Sequence, residues 1–264
     1  MSNSVLVVIG IAIMIVGVIG MIICVKKQRV NPALQPLSFV LFVVVLVGGF
    51  LCLRGQGLLG GSRNSGAINS EIAYQEARGR KVGEFMRGIE AGRKLVIIAD
   101  PNYVKADDDK KDRFTKALID SLVEAYKKDK KDNVDYVVVS VKIPENAEEE
   151  GTPLSDYMTP KALDALIPAD AGIVVFMNCM PDNPQNMKMF KSKNGPKAML
   201  IGRGSASGKF ISDKIKSGEI LGVVVGRPKI KYSTPAASNY QKAFDFRYVL
   251  IDKDNLGSNA DFLN

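Results

Sequence analysis

Two long uncharged apolar runs, Val5–Val25 and Leu37–Leu53, fill the start of the chain, and the turn between them carries Lys26, Lys27 and Arg29. No Asp or Glu occurs before Glu71. An apolar helix of about 20 residues matches the roughly 30 Å hydrocarbon core of a bilayer. The pattern therefore predicts a two-helix transmembrane hairpin over residues 1–54, with spans at about 5–25 and 36–53, and makes the lipid bilayer the first expected partner. A cleaved leader is the alternative for the first run, which lacks the positive n-region and the small-residue cleavage pattern of such peptides. Basic residues in short flanks stay on the cytoplasmic side. Three of them in the turn, against Arg54 and Arg63 after the second run, predict a cytoplasmic turn at 26–35 and an extracytoplasmic C-terminal domain.

Four of the 36 basic residues precede Arg63, leaving 32 against 28 acids, so the remainder is only mildly basic. That is well short of a nucleic-acid-binding composition, and no nucleic-acid partner is expected. Cys24 and Cys52 lie in the apolar runs, which leaves Cys179 alone in the rest of the chain with no internal disulfide to form. The chain contains no histidine. This removes the usual general base near neutral pH, the Ser-His-Asp and Cys-His nucleophile systems and the commonest zinc ligand. Chemistry is left to carboxylates, Lys, Tyr, Ser/Thr and one Cys; no catalytic residue, metal or cofactor is assigned.

Residues 55–93 read as a linker and an amphipathic helix: Arg54–Gly66 is rich in Gly and Ser, and Ile68–Arg93 places Val82, Phe85, Met86 and Ile89 at helical spacing. That basic helix lies either on anionic headgroups or against the following domain. From Lys94 strand and helix patterns alternate. Strands are predicted at Leu95–Ala99, Val134–Ile143, Ala171–Met177, Ala198–Ile201, Ile220–Val225 and, at an edge, Phe246–Ile251. Helices are predicted over Asp107–Lys128, after Thr159-Pro160, through Met187 and Phe190, and over Ser207–Lys216, with Pro228–Gln241 loop-like and the tail 255–264 poorly ordered.

Strands buried on both faces, each followed by an amphipathic helix, describe an α/β fold over 94–254: a doubly wound, mostly parallel, Rossmann-like sheet of five to six strands. The element order resembles flavodoxin-type domains and one lobe of periplasmic ligand-binding proteins.

In such sheets ligands bind at the carboxyl ends of the strands. This nominates Asp100 and Asn102 after the first strand, Asn178, Cys179 and Asp182 after the third, Arg203, Gly204, Ser205 and Lys209 after the fourth, and Arg227 after the fifth. Gly202–Lys209 follows a strand and opens a helix, as phosphate-cradling loops do, but its spacing fits neither a P-loop nor the dinucleotide fingerprint. A tight turn with a Ser cap is the plainer expectation, with an anion site held by Arg203 and Lys209 as the alternative. Asp100 with Asp182 makes a candidate acid pair, Cys179 reads as a partly buried structural thiol, and Glu148-Glu149-Glu150 as a solvated loop.

The functional expectation is a non-enzymatic, membrane-anchored α/β domain that binds a protein partner or a small anionic ligand. Small residues at Gly10, Gly17, Gly48 and Gly49 allow the hairpin to pack on itself or to form a homo-oligomer. The alternative is an enzyme acting on an anionic or phosphorylated substrate through the strand-end carboxylates and the Gly202–Lys209 loop.

Overall fold

The computed structural model describes residues 3–28, 35–55, 62–89, 94–128, 135–144, 153–192 and 194–263. The chain divides into two compact units, 1–69 and 70–264. The first holds α1 (Asn3–Gln28) and α2 (Gln35–Gly55). They run antiparallel: a Cβ on Gly17 would stand 2.6 Å from Val45 Cγ2, one on Gly20 3.0 Å from Leu41 Cδ1, and one on Gly49 3.8 Å from the Met14 sulfur. Gly17 thus faces Val45 and Leu41 across the helix pair. Val16 and Phe39 remain about two-thirds exposed, at 68% and 69%.

The transmembrane hairpin expected at 5–25 and 36–53 is corrected by one finding: among the described residues no helix is long and apolar enough to cross a membrane. The two-pass anchor, the cytoplasmic turn and the extracytoplasmic placement of the domain fall with it.

The second unit is a six-stranded sheet, β1 (Lys94–Ile98), β2 (Tyr136–Val139), β3 (Ala171–Met177), β4 (Lys197–Ile201), β5 (Ile220–Gly226) and β6 (Tyr248–Asp252), in the order β2-β1-β3-β4-β5-β6. The first five are parallel; β6 pairs antiparallel with β5. Alternation sends successive side chains to opposite faces. Val96, Ile98, Val174, Phe176 and Leu200 enter one core, and Leu95, Ile97, Ile173, Val175 and Met199 the other.

Three longer helices cover the second of these faces: α3 (Ser62–Ile89) with Tyr74, Val82 and Met86, α5 (Arg113–Lys127) with Leu118, Leu122 and Tyr126, and α9 (Tyr240–Arg247) with Phe244. The short α4 (Pro101–Lys105) adds Tyr103. Of the two placements open to the basic helix, the structure takes packing on the sheet, because Tyr74, Ala77, Val82 and Met86 are all buried. The opposite face is covered by α7 (Pro160–Asp164) and α8 (Gly208–Ser217), with α10 (Leu256–Asn259) and the turn that follows it; the short α6 (Leu154–Tyr157) precedes α7.

Three local expectations differ. The helix expected over Asp107–Lys128 starts at Arg113, because the Asp112 carboxylate caps it at Thr115 N and Asp100 with Pro101 opens the separate α4. The segment through Met187 and Phe190 forms two 3₁₀ turns, Pro184–Asn186 and Lys188–Phe190. The tail expected to be poorly ordered is packed: α10 and Ala260–Leu263 bury Leu256 and Leu263 in the core. Two apolar side chains in so short a segment carry no periodicity to read, yet each gains about 2 kcal/mol by burial. The acidic loop 148–150 lies outside the described residues.

Candidate functional site: strand ends and a helical groove

Order β2-β1-β3-β4-β5 puts the point where the winding reverses between β1 and β3, the usual crevice for a ligand. Four nominated residues sit at this part of the edge. Asp100 leaves β1 exposed, and its Oδ1 accepts the Asn102 N–H at 2.7 Å as the cap of α4. Asn178 leaves β3 with φ +56°, its N–H bonded to the Ile201 carbonyl at 2.9 Å, so it ties β3 to β4 past their last rung. A Cβ on Gly202, itself at φ +83°, would lie 1.6 Å from Asn178 Oδ1. Only glycine fits there. Cys179 is buried with its thiol against the Ile98 carbonyl at 3.3 Å, and burial pushes its pKa up to about 12. A thiol held neutral in this way is a weak nucleophile.

The loop after β4 is occupied in the same manner. Gly204, at φ +58°, would drive a Cβ to 2.6 Å from Met180 N, and Ser205 N–H donates to the Met180 carbonyl at 3.0 Å. Arg203 Nη1 donates to the Leu263 carbonyl. Ser207 caps α8 by accepting the Phe210 N–H at 3.2 Å, and Leu263 closes over Gly208, where a Cβ would stand 2.1 Å from its carbonyl oxygen. The segment thus forms a glycine turn under the chain's last helix, with Lys209 exposed on α8. At the far side Arg227 Nε donates to the Tyr248 carbonyl at 3.1 Å and closes the β5–β6 end.

A cavity of about 390 Å³ beside β1 is lined by Asp100, Asn102, Tyr103, Lys110, Asp112 and Thr115. Asp182 does not line it, and Arg227 lines a separate cavity of about 440 Å³. The structure therefore brings Asp100 and Asn102 together, and Asn178 against the Gly202 turn, while Asp182, Lys209 and Arg227 stand apart. Among the described residues no group of three acidic or Cys side chains is placed to hold a metal ion.

Sequence reasoning missed two features of the α3 side. The first is a buried cation cluster. Arg247 is 2% exposed, stacks 3.6 Å from the Tyr74 ring centroid, pairs with Glu71 through Nη1 and donates from Nη2 to the Tyr232 carbonyl at 2.8 Å. Arg78 lies 4.9 Å over the Tyr248 ring, and burial pulls its pKa below the ordinary value against the opposing pull of Tyr248 and Glu71. The Nε atoms of both arginines are enclosed without an acceptor among the described residues. The cluster pins α3 to α9, β6 and the loop before α9.

The second is a groove of about 570 Å³ between α3, α5 and the loop at Ala237. It exists because α3 and α5 cross at almost backbone contact: a Cβ on Gly79 would meet the Leu118 carbonyl oxygen at 2.2 Å, and one on Gly83 that of Leu122 at 2.3 Å. Beside the crossing the groove is lined by small side chains, Ala73, Ala77, Ala117, Ser121 and Ala125, with Ser238 and Tyr240 on the loop side. The rim is charged, with Glu76, Glu84, Asp120 and Glu124 against Arg80 and Lys128. Burial pushes Glu84 upward, but hydrogen bonds from Tyr240 at 2.7 Å and Arg80 at 3.2 Å outweigh it and hold the carboxyl below its usual range. Two glycines four apart in α3, Gly79 and Gly83, share one helix face and are the signal that points to this helix contact.

Comparison of the chain with family models, with curated proteins and with solved structures finds no match.

Proposed function

We propose that this chain is a non-catalytic binding protein whose α/β domain recognises a polypeptide partner on its α3–α5 face. One observation carries the proposal: most of the polar groups nominated at the strand ends are engaged in holding the fold, while Asp182 and Lys209 stand exposed and apart. Asp100 caps α4, Arg203 holds the tail, Arg227 closes β5 and β6, and Cys179 is a buried neutral thiol. An enzyme for phosphorylated substrates would need Arg203 free to meet its substrate, and Arg203 donates instead to the Leu263 carbonyl, with Leu263 packed against Gly208. The α3–α5 groove is instead a concave surface whose charged rim faces solvent, the arrangement of helix-in-groove recognition.

A thermal-shift series on the full chain with nucleotides, sugar phosphates and divalent cations tests this. No ligand is expected to raise Tm. A rise that disappears in the Asp182→Ala, Lys209→Ala double variant, whose side chains are both exposed, would overturn it in favour of strand-end ligand chemistry.

A further inference from the structure

The charge of the groove specifies the chemistry of its occupant. Of the six charged side chains on the rim, four are acidic. Arg80 is spent within the groove, since it pairs with Glu84 at 3.2 Å and stacks 4.1 Å from the Tyr240 ring centroid. Asp120 pairs with Lys116, one turn earlier in α5, at 3.5 Å. Glu76 and Glu124, one on each wall, have no ion-pair partner among the described residues and are exposed. Lys128 stands at the end of α5 and leaves the rim with a net negative charge. Four lining acids against two lining bases, beside alanine methyls, occur here on a chain whose formal net charge is +8, so the groove departs from the charge balance of the molecule as a whole.

We infer that the groove takes a basic amphipathic helix of a partner protein, with small apolar side chains on the alanine floor and Lys or Arg against Glu76 and Glu124. This rests on the proposed function and names the partner class at the same surface. The floor admits only shallow insertion, because Ala73, Ala77, Ala117 and Ala125 lie over helices already in contact at Gly79 and Gly83. A partner helix therefore presents Ala, Ser or Val rather than an aromatic anchor. Its basic residues supply steering and register more than raw affinity.

Fluorescence anisotropy on the full chain tests the assignment with a labelled synthetic amphipathic helix of Lys, Ala and Leu, and with its counterpart carrying Glu for Lys. The basic peptide is expected to bind, to weaken with ionic strength, and to lose about tenfold or more in affinity both in Glu76→Lys, Glu124→Lys and in the groove-filling Ala117→Trp. The acidic peptide is expected not to bind. Equal binding of both peptides that Ala117→Trp blocks and the charge reversals leave alone would keep the groove and overturn the basic partner. Basic-peptide binding that Ala117→Trp leaves unchanged would overturn the groove itself. Absence of binding by the basic peptide overturns the partner class. The two exposed glutamates keep the test valid if the tryptophan variant fails to fold.

Discussion

At the scale of single residues, the close crossing of α3 on α5 separates two glycines of the same helix. A Cβ on Gly83 would meet backbone, the Leu122 carbonyl oxygen at 2.3 Å and Tyr126 N at 2.9 Å, whereas one on Gly88 meets nothing within 4 Å. Gly83→Ala is expected to destabilise the domain by about 1–3 kcal/mol through overpacking. Gly88→Ala is expected to stabilise it by roughly 0.5–1 kcal/mol through helix propensity. Urea denaturation of both variants checks the pair, and equal effects would sink the account of the crossing. Cys179 supplies a pH dependence. Its pKa rises from 9.0 to about 12 on folding, so the unfolded chain releases the proton first. The thiol's contribution to stability is then complete below about pH 9 and is lost progressively between about 9 and 12. The alkaline decline should be shallower in Cys179→Ala, as read by denaturation midpoints across that range. The burial of this thiol was legible in the sequence from the apolar strand ahead of it. The engagement of Arg203 was not, because its acceptor at Leu263 lies 60 residues away.

Between elements, the cation cluster and the tail perform the same task on opposite faces. Arg247 joins α9 to Glu71 and Tyr74 of α3 and to the Tyr232 carbonyl. Breaking a buried pair by removing one partner costs about 3–5 kcal/mol. With Glu71 32% exposed, the lower end of that range is expected for Arg247→Met, and Glu71→Gln in the same chain should recover part of it. A double-mutant cycle in urea checks this; strict additivity would show that the two side chains act separately. On the other face, Gly208→Ala would press a Cβ against the Leu263 carbonyl oxygen. The last turn should lift, and limited proteolysis should remove residues beyond Asn255 faster than in wild type, with the sheet intact. The elements themselves differed in legibility. Strands β1, β3, β4 and β5 and the start of α8 could be read from continuous apolar runs and from Ser207, since burial on both faces leaves no alternation to misread. The start of α5, the 3₁₀ turns and the packed tail depend on single caps and on tertiary burial, for which no periodicity exists.

For the whole molecule, alternating strands and helices predict a mostly parallel sheet of five to six strands, but no pattern in the sequence states how its edges are protected or which outer face stays open. The antiparallel β6 forms one edge, and open edges invite strand addition from other copies. Here side chains take up the outward backbone groups: Asn255 Nδ2 donates to the Leu250 carbonyl at 3.0 Å, its Oδ1 accepts the Asp252 N–H at 3.1 Å, and Arg227 Nε donates to the Tyr248 carbonyl at 3.1 Å. The residues that cap the edge thus occupy the position that strand-end reasoning gave to ligand binding at Arg227. Asn255→Ala frees two edge groups together by removing its side-chain bonds to Leu250 and Asp252 of β6. A stability loss of about 1–2 kcal/mol is expected, at about 1 kcal/mol per hydrogen bond. Self-association should rise with it, read as a concentration-dependent increase in mass by light scattering at temperatures below the melting transition. A monomeric Asn255→Ala chain of unchanged stability would show that the edge is protected by its shape and short length rather than by these bonds.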